Sequence, residues 1–131
     1  MTAALLAARP GRDGRANQPV ALLVEPSRPL AEELAEALRQ RGWTVELVGY
    51  PLEVPGRAAA TRRVHVLLLD PGPYCVPCLV RALRTVPALR RVPFVLLPRW
   101  HAEAGWVLRQ ASAALARGHV RAGRRPRRRL P

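Results

Sequence analysis

The stretch VHVLLLDPGPYCVPCLVRALR, Val64 to Arg84, holds two chemistries a few residues apart. An apolar run closes on one carboxylate, Asp70, and five residues later Cys75 and Cys78 form a Cys-x-x-Cys pair where a helix should begin. A carboxylate at a strand end can hold a hard cation or accept a phosphoryl group, a transfer that depends on positioning and charge neutralisation. A dithiol at a helix start can exchange with disulfides, because the helix N-terminus lowers the thiol pKa. Each has a plainer reading. Asp70 before Pro71 and Gly72 suits a turn or N-cap carboxylate. Cys75 then lies in a loop, and Cys78 packs as a small apolar residue at the start of the helix.

These residues belong to a chain of 131 residues, enough for one domain with a core of its own. Its net charge is +13 and all 22 basic residues are Arg. Such a charge attracts phosphates, nucleic acid or acidic membrane, with a strength that falls as salt rises. The ends are disproportionately basic: the eleven residues from Arg121 to Pro131 carry six arginines and no acid. No apolar run approaches the length of a membrane span, and the opening MTAALLAARPGRDGRANQP lacks a basic start, so the chain reads as cytoplasmic. Two cysteines three apart cannot make the multi-bridge framework of a small secreted domain. Zinc would need two more ligands, and His65, His101 and His119 show no ligand spacing.

The elements that must position the site alternate along the chain. VALLV (Val20 to Val24) reads as a buried strand that ends at a second acid, Glu25. A helix is predicted from Ser27, its N-cap, with Pro29 in the first turn, Leu30, Leu34 and Leu38 on one face and Gly42 as its stop. TVELVG alternates like a half-exposed strand, Arg57 to Arg63 forms a short helix, and VHVLLL is a second buried strand with His65 inside it. A helix follows from about Val76 to Thr85, then the strand PFVLLP. The last helix, Ala102 to Ala116, turns Trp106, Val107, Ala111, Ala114 and Leu115 inward. Residues 1–18 and 121–131 lack hydrophobic periodicity and read as a flexible segment and a basic disordered tail around a domain at 19–120.

Fully apolar strands separated by helices mean a parallel sheet covered on both faces. The fold class is therefore α/β, a flavodoxin-like doubly wound sheet whose site lies at the carboxyl ends of the strands. If the first and third strands are neighbours, Glu25 and Asp70 share one crevice.

At these residues the sequence resembles the response-regulator receiver domain of two-component signalling, over about Val20 to Arg99. ALLVEPSRPLAEELAEALRQRGWTVELV looks like its first strand, first helix and second strand. HVLLLDPGP looks like the third strand ending in the phosphoacceptor aspartate, and LVRALRTVPALRRVPFVLL like the third helix and fourth strand. The resemblance implies phosphorylation of Asp70 by a histidine kinase or small phosphodonor, with magnesium held by Glu25 and Asp70. It also implies action by protein contact rather than turnover. The chain departs from the pattern in three places. Pro26 replaces the second acid of the pair, which weakens the magnesium site. Pro98 stands near the phosphate-reading hydroxyl and offers neither a hydroxyl nor a backbone N–H. The lysine after the fifth strand has no counterpart, as the chain contains no Lys; Arg121, Arg124 or Arg125 could substitute electrostatically but not in geometry. GHVRAGRRP makes a weak fifth strand and the closing helix looks truncated, so the chain resembles a degenerate receiver.

Two alternatives stay open. YCVPC is similar to the active-site box of thioredoxin-like proteins, which would make Cys75 and Cys78 a redox pair, but only 14 residues separate Cys78 from Pro93 and those proteins place more structure there. The other is a phosphorylation-independent interaction module, whose last helix and tail bind a partner. In that tail Arg124, Arg125, Arg127, Arg128 and Arg129 would clamp nucleic acid or another anion without sequence preference. Trp43, Trp100 and Trp106 read as core or rim packing.

Overall fold

The computed structural model describes residues 18–98 and 103–123, with side chains as far as 117. Four strands, β1 (Val20–Val24), β2 (Thr44–Val48), β3 (Val66–Leu69) and β4 (Phe94–Leu96), form one sheet. All pair in parallel, in the order β2-β1-β3-β4. Four helices accompany them: α1 (Arg28–Arg39), α2 (Val54–Ala60), α3 (Val76–Arg84) and α4 (Ala104–Gly123). Short 3₁₀ turns lie at Pro51–Glu53 and Pro87–Leu89. The doubly wound α/β architecture expected from the strand pattern is the one observed.

The central strands are apolar throughout because both their faces are covered. Alternate residues point opposite ways along a strand. Ala21, Leu23, Val66 and Leu68 accordingly enter one core with Leu34 and Leu38 of α1 and Val107, Ala111 and Ala114 of α4. Leu22, Val24, Leu67 and Leu69 enter a second core with Val54 and Ala58 of α2 and Leu79 and Leu83 of α3. Trp43 is buried in the first core, and Trp106 packs half-buried against it.

Local chemistry explains the helix limits. Pro29 occupies the first turn of α1, and Gly42, at φ 93°, turns the chain out of it. Ser27 is the N-cap residue, yet its hydroxyl makes no capping bond. A cap serves the N–H groups of the second and third helical residues, and here Pro29 has removed one of them. The helix expected at Arg57 to Arg63 instead runs Val54–Ala60, because Val54 and Ala58, four apart, are the pair that reaches the core. His65 lies one residue before β3, not within it, and its Nδ1 accepts a hydrogen bond from the Val20 N–H at 3.0 Å.

The carboxyl half departs furthest from expectation. Among the described residues no fifth strand follows β4, and Gly118–Gly123 continue α4, which extends over 20 residues. The last helix is long rather than truncated, and it reaches three residues into the segment expected to be disordered tail. Alanine and arginine are strong helix formers, and one interior glycine costs only about 1 kcal/mol. Among the described residues β4 is therefore an edge strand. Val95 faces β3, and the Phe94 and Leu96 backbones point outward by the parallel register. No helix of the described residues is long and apolar enough to cross a membrane.

Candidate functional site at the sheet's carboxyl edge

β1 and β3 lie side by side at the centre of the sheet, with Val24 paired to Leu69. One step further along the same register come Glu25 and Asp70. The ladder continues through both residues: the Asp70 N–H donates to the Val24 carbonyl at 3.0 Å and the Glu25 N–H to the Val48 carbonyl at 3.0 Å. Two carboxylates on chain segments 45 residues apart are thereby brought into one crevice at the carboxyl ends of the strands, where an open α/β sheet places its ligands.

Their environments differ. Glu25 is only 7% exposed, and Asp70 is half-buried. Burial pushes the Glu25 carboxyl above its ordinary value, the Ser27 N–H bonded to its Oε2 at 3.2 Å pulls the other way, and the Asp70 charge adds a further upward push. Asp70 Oδ1 accepts the Gly72 N–H at 2.9 Å, closing the turn in which Gly72 adopts φ 61°. The turn role of Asp70 is thus real. It employs one carboxylate oxygen.

Residues around the pair match the departures seen in the sequence. Pro26 is exposed beside Glu25 and supplies no oxygen donor from its side chain. On the other side of Asp70 the register places Leu97, whose N–H donates to the Leu69 carbonyl at 2.9 Å, and then Pro98. Neither carries a hydroxyl. As hard oxygen donors Glu25 and Asp70 suit magnesium, which keeps several waters and takes one or two carboxylates. Among the described residues no group of three or more His, Cys, Asp or Glu could hold a metal ion. Arg124, Arg125, Arg127, Arg128 and Arg129, and with them Trp100 and His101, lie outside the described residues.

The thiols occupy the next turn of the same connection. Cys75 is the N-cap residue of α3, in extended conformation, and Cys78 lies in the first turn. Both are free and exposed, which corrects the expectation that Cys78 packs inward. The buried face of α3 is Leu79 and Leu83, and Cys78 falls a residue off that seam. The Cys75 and Cys78 Sγ atoms are 2.9 Å apart. Sharing that hydrogen bond lowers the Cys75 thiol pKa and raises that of Cys78. The thioredoxin-like alternative fails at the level of fold, as all four strands of the described residues are parallel and the pair follows the third.

No protein-family model matches the chain, and no curated protein matches it. Solved structures do. The fold is that of response-regulator receiver domains: a receiver domain of a signal transduction histidine kinase from Syntrophus aciditrophicus superposes with a TM-score of 0.60 at 22% identity, covering 75% of this chain and 90% of that one. A sensor protein from Polaromonas gives a TM-score of 0.65 at 15% identity over 76% of this chain and 98% of that one. A structure described as adenylate cyclase from Rhodopirellula baltica gives 0.63 at 13% identity over 81% and 93%.

Proposed function

We propose that the chain is a receiver-like signalling module that acts by protein contact, with Asp70 as its phosphoacceptor. The observation that supports this reading is the Glu25–Asp70 pair, aligned at the carboxyl ends of the two central strands of a receiver fold. Asp70 Oδ2 is left to attack the phosphorus of a phosphohistidine or a small acyl phosphate while Oδ1 is held by Gly72. Glu25 and Asp70 would hold magnesium, whose charge offsets that of the incoming phosphoryl group. With only two carboxylates, one of which, Glu25, is already biased toward protonation, the site binds that ion weakly.

The test is the intact mass of the protein after incubation with acetyl phosphate and magnesium, beside an Asp70→Asn variant. One phosphate adduct in the parent and none in the variant is the expected result. An unlabelled parent, under conditions that label an ordinary receiver, would overturn the phosphoacceptor assignment.

A second reading is favoured by Pro26 and Pro98, which flank the pair where an acid and a hydroxyl would assist transfer. In it the same fold is a phosphorylation-independent interaction module, whose basic tail adds salt-sensitive binding to nucleic acid or another polyanion. Its signature is partner binding that Asp70→Asn leaves unchanged.

A further inference from the structure

Cys75 and Cys78 have no part in that chemistry. They lie on the connection that leaves Asp70, both exposed, both free, with their sulfurs in contact at 2.9 Å. The first helical bond of α3, from the Leu79 N–H to the Cys75 carbonyl at 2.9 Å, fixes the two residues on one turn. Pro77 between them stiffens that turn. Residues three apart on a helix are neighbours, and a disulfide needs its sulfurs about 2.05 Å apart, so the pair can close without rebuilding the backbone.

We infer that Cys75 and Cys78 form a reversible dithiol–disulfide switch that exchanges with small disulfides of the oxidised-glutathione type. The Cys75 thiolate attacks one sulfur of the oxidised glutathione, the S–S bond of that molecule breaks, and one glutathione leaves as thiolate. Cys78 then loses its proton and attacks the Cys75 sulfur. The Cys75–Cys78 bond forms and the second glutathione departs. The protein has lost two electrons and two protons, and one oxidised glutathione has become two reduced molecules.

Cys75 is the attacking sulfur because it is the N-cap residue of α3, where the helix N-terminus favours its thiolate, and the thiolate is the nucleophile. Cys78 resolves the mixed disulfide because it already touches the sulfur it must attack. Both thiols are exposed. Closure alters one exposed turn and leaves Leu79 and Leu83 in their core.

This inference stands apart from the phosphoacceptor reading, and its test does not involve phosphate. The full chain is equilibrated with oxidised glutathione, quenched with acid, alkylated and weighed, beside Cys75→Ser and Cys78→Ser. The parent is expected to lose the mass of two hydrogens, to carry no glutathione and to regain both thiols in excess reduced glutathione. Each single variant is expected to stop at one glutathione adduct. A parent that keeps glutathione on either cysteine, or that does not react, would overturn the switch. Limited alkylation of the reduced parent with iodoacetamide, read by peptide mapping, assigns the roles. Cys75 should be modified first; equal labelling, or Cys78 first, overturns its place as nucleophile. Circular dichroism of the oxidised and reduced forms should coincide, and a loss of helix on oxidation would also count against the switch.

Discussion

Glu25 and Asp70 stand next to each other because Val24 and Leu69, the residues before them, are register partners on adjacent parallel strands. The adjacency is a property of the sheet order, and it raises the cost of ionising Glu25, which is buried and faces a second carboxylate. A group whose folded pKa is raised contributes stability that is complete below its unfolded pKa and is lost as pH rises through the folded value. Glu25→Gln removes that loss, and its amide oxygen can still accept the Ser27 N–H. The variant should unfold at higher urea than the parent at pH 7, the difference shrinking as pH falls through the raised folded value and vanishing below 4.5, the ordinary value of this carboxyl. A variant no more stable than the parent at pH 7 would show that ionised Glu25 costs the fold nothing.

Pro26 occupies the place where a second acid would complete the proposed magnesium site, and it is exposed. Pro26→Asp adds one hard donor beside the existing two. Magnesium affinity, measured by calorimetry, should rise about tenfold, equivalent to ~1.4 kcal/mol. Combining it with Glu25→Gln should cancel most of the gain. An affinity unchanged by Pro26→Asp would mean that this crevice does not take the ion.

Arg84 anchors the connection from α3 to β4. Its Nη1 donates to the carbonyls of Leu89, Arg90 and Val92, and its guanidinium lies 3.9 Å from the centroid of the Phe94 ring. Hydrogen bonds from a charged donor and a cation–π contact each carry measurable stability. Arg84→Ala should lower the unfolding free energy by about 2–3 kcal/mol. Arg84→Lys should recover less than half of that, because an ammonium cannot stack on the Phe94 ring as the planar guanidinium does. A urea midpoint unmoved by Arg84→Ala would contradict the anchoring role.

Two glycines give opposite expectations. Gly42 has φ 93° at the end of α1, a conformation that an L side chain adopts at a cost, so Gly42→Ala should destabilise by about 1 kcal/mol. Gly56 lies in α2, and a Cβ there meets nothing within 4 Å. Gly56→Ala should therefore stabilise by about 0.5–1 kcal/mol. Thermal melts of the two variants should move in opposite directions.

The architecture was largely legible in the sequence, and particular residues show why. VALLV and VLLL are apolar on both faces, as strands inside a covered parallel sheet are, and the acids that end them proved to be neighbours. The inner surface expected of the last helix, Val107, Ala111 and Ala114 with Trp106 and Leu115 beside them, is the one that packs. Misreadings arose where composition was weighed above periodicity. Gly118 to Gly123 look like a linker in isolation, yet they extend a helix already nucleated by fourteen residues before them. The exposure of Cys78 was available from spacing, as Leu79 and Leu83 define the seam and Cys78 is not on it. The missing capping bond of Ser27 depends on which N–H groups Pro29 leaves to serve, a detail of atoms rather than of pattern.

α1 and α4 cover the same face of the sheet from opposite ends of the chain, and that face has an implication for synthesis. Ala21 and Leu23 leave the ribosome more than eighty residues before Val107, Ala111 and Ala114, which close over them. Contacts so distant in sequence form late, because the entropy of closing the intervening loop must be met before they bring any return. A nascent chain halted before Ala111 therefore presents an open apolar groove beside α1 for chaperones to find. Only release of the finished helix removes it, so protease resistance in a series of stalled chains should appear abruptly with α4 and not accumulate strand by strand.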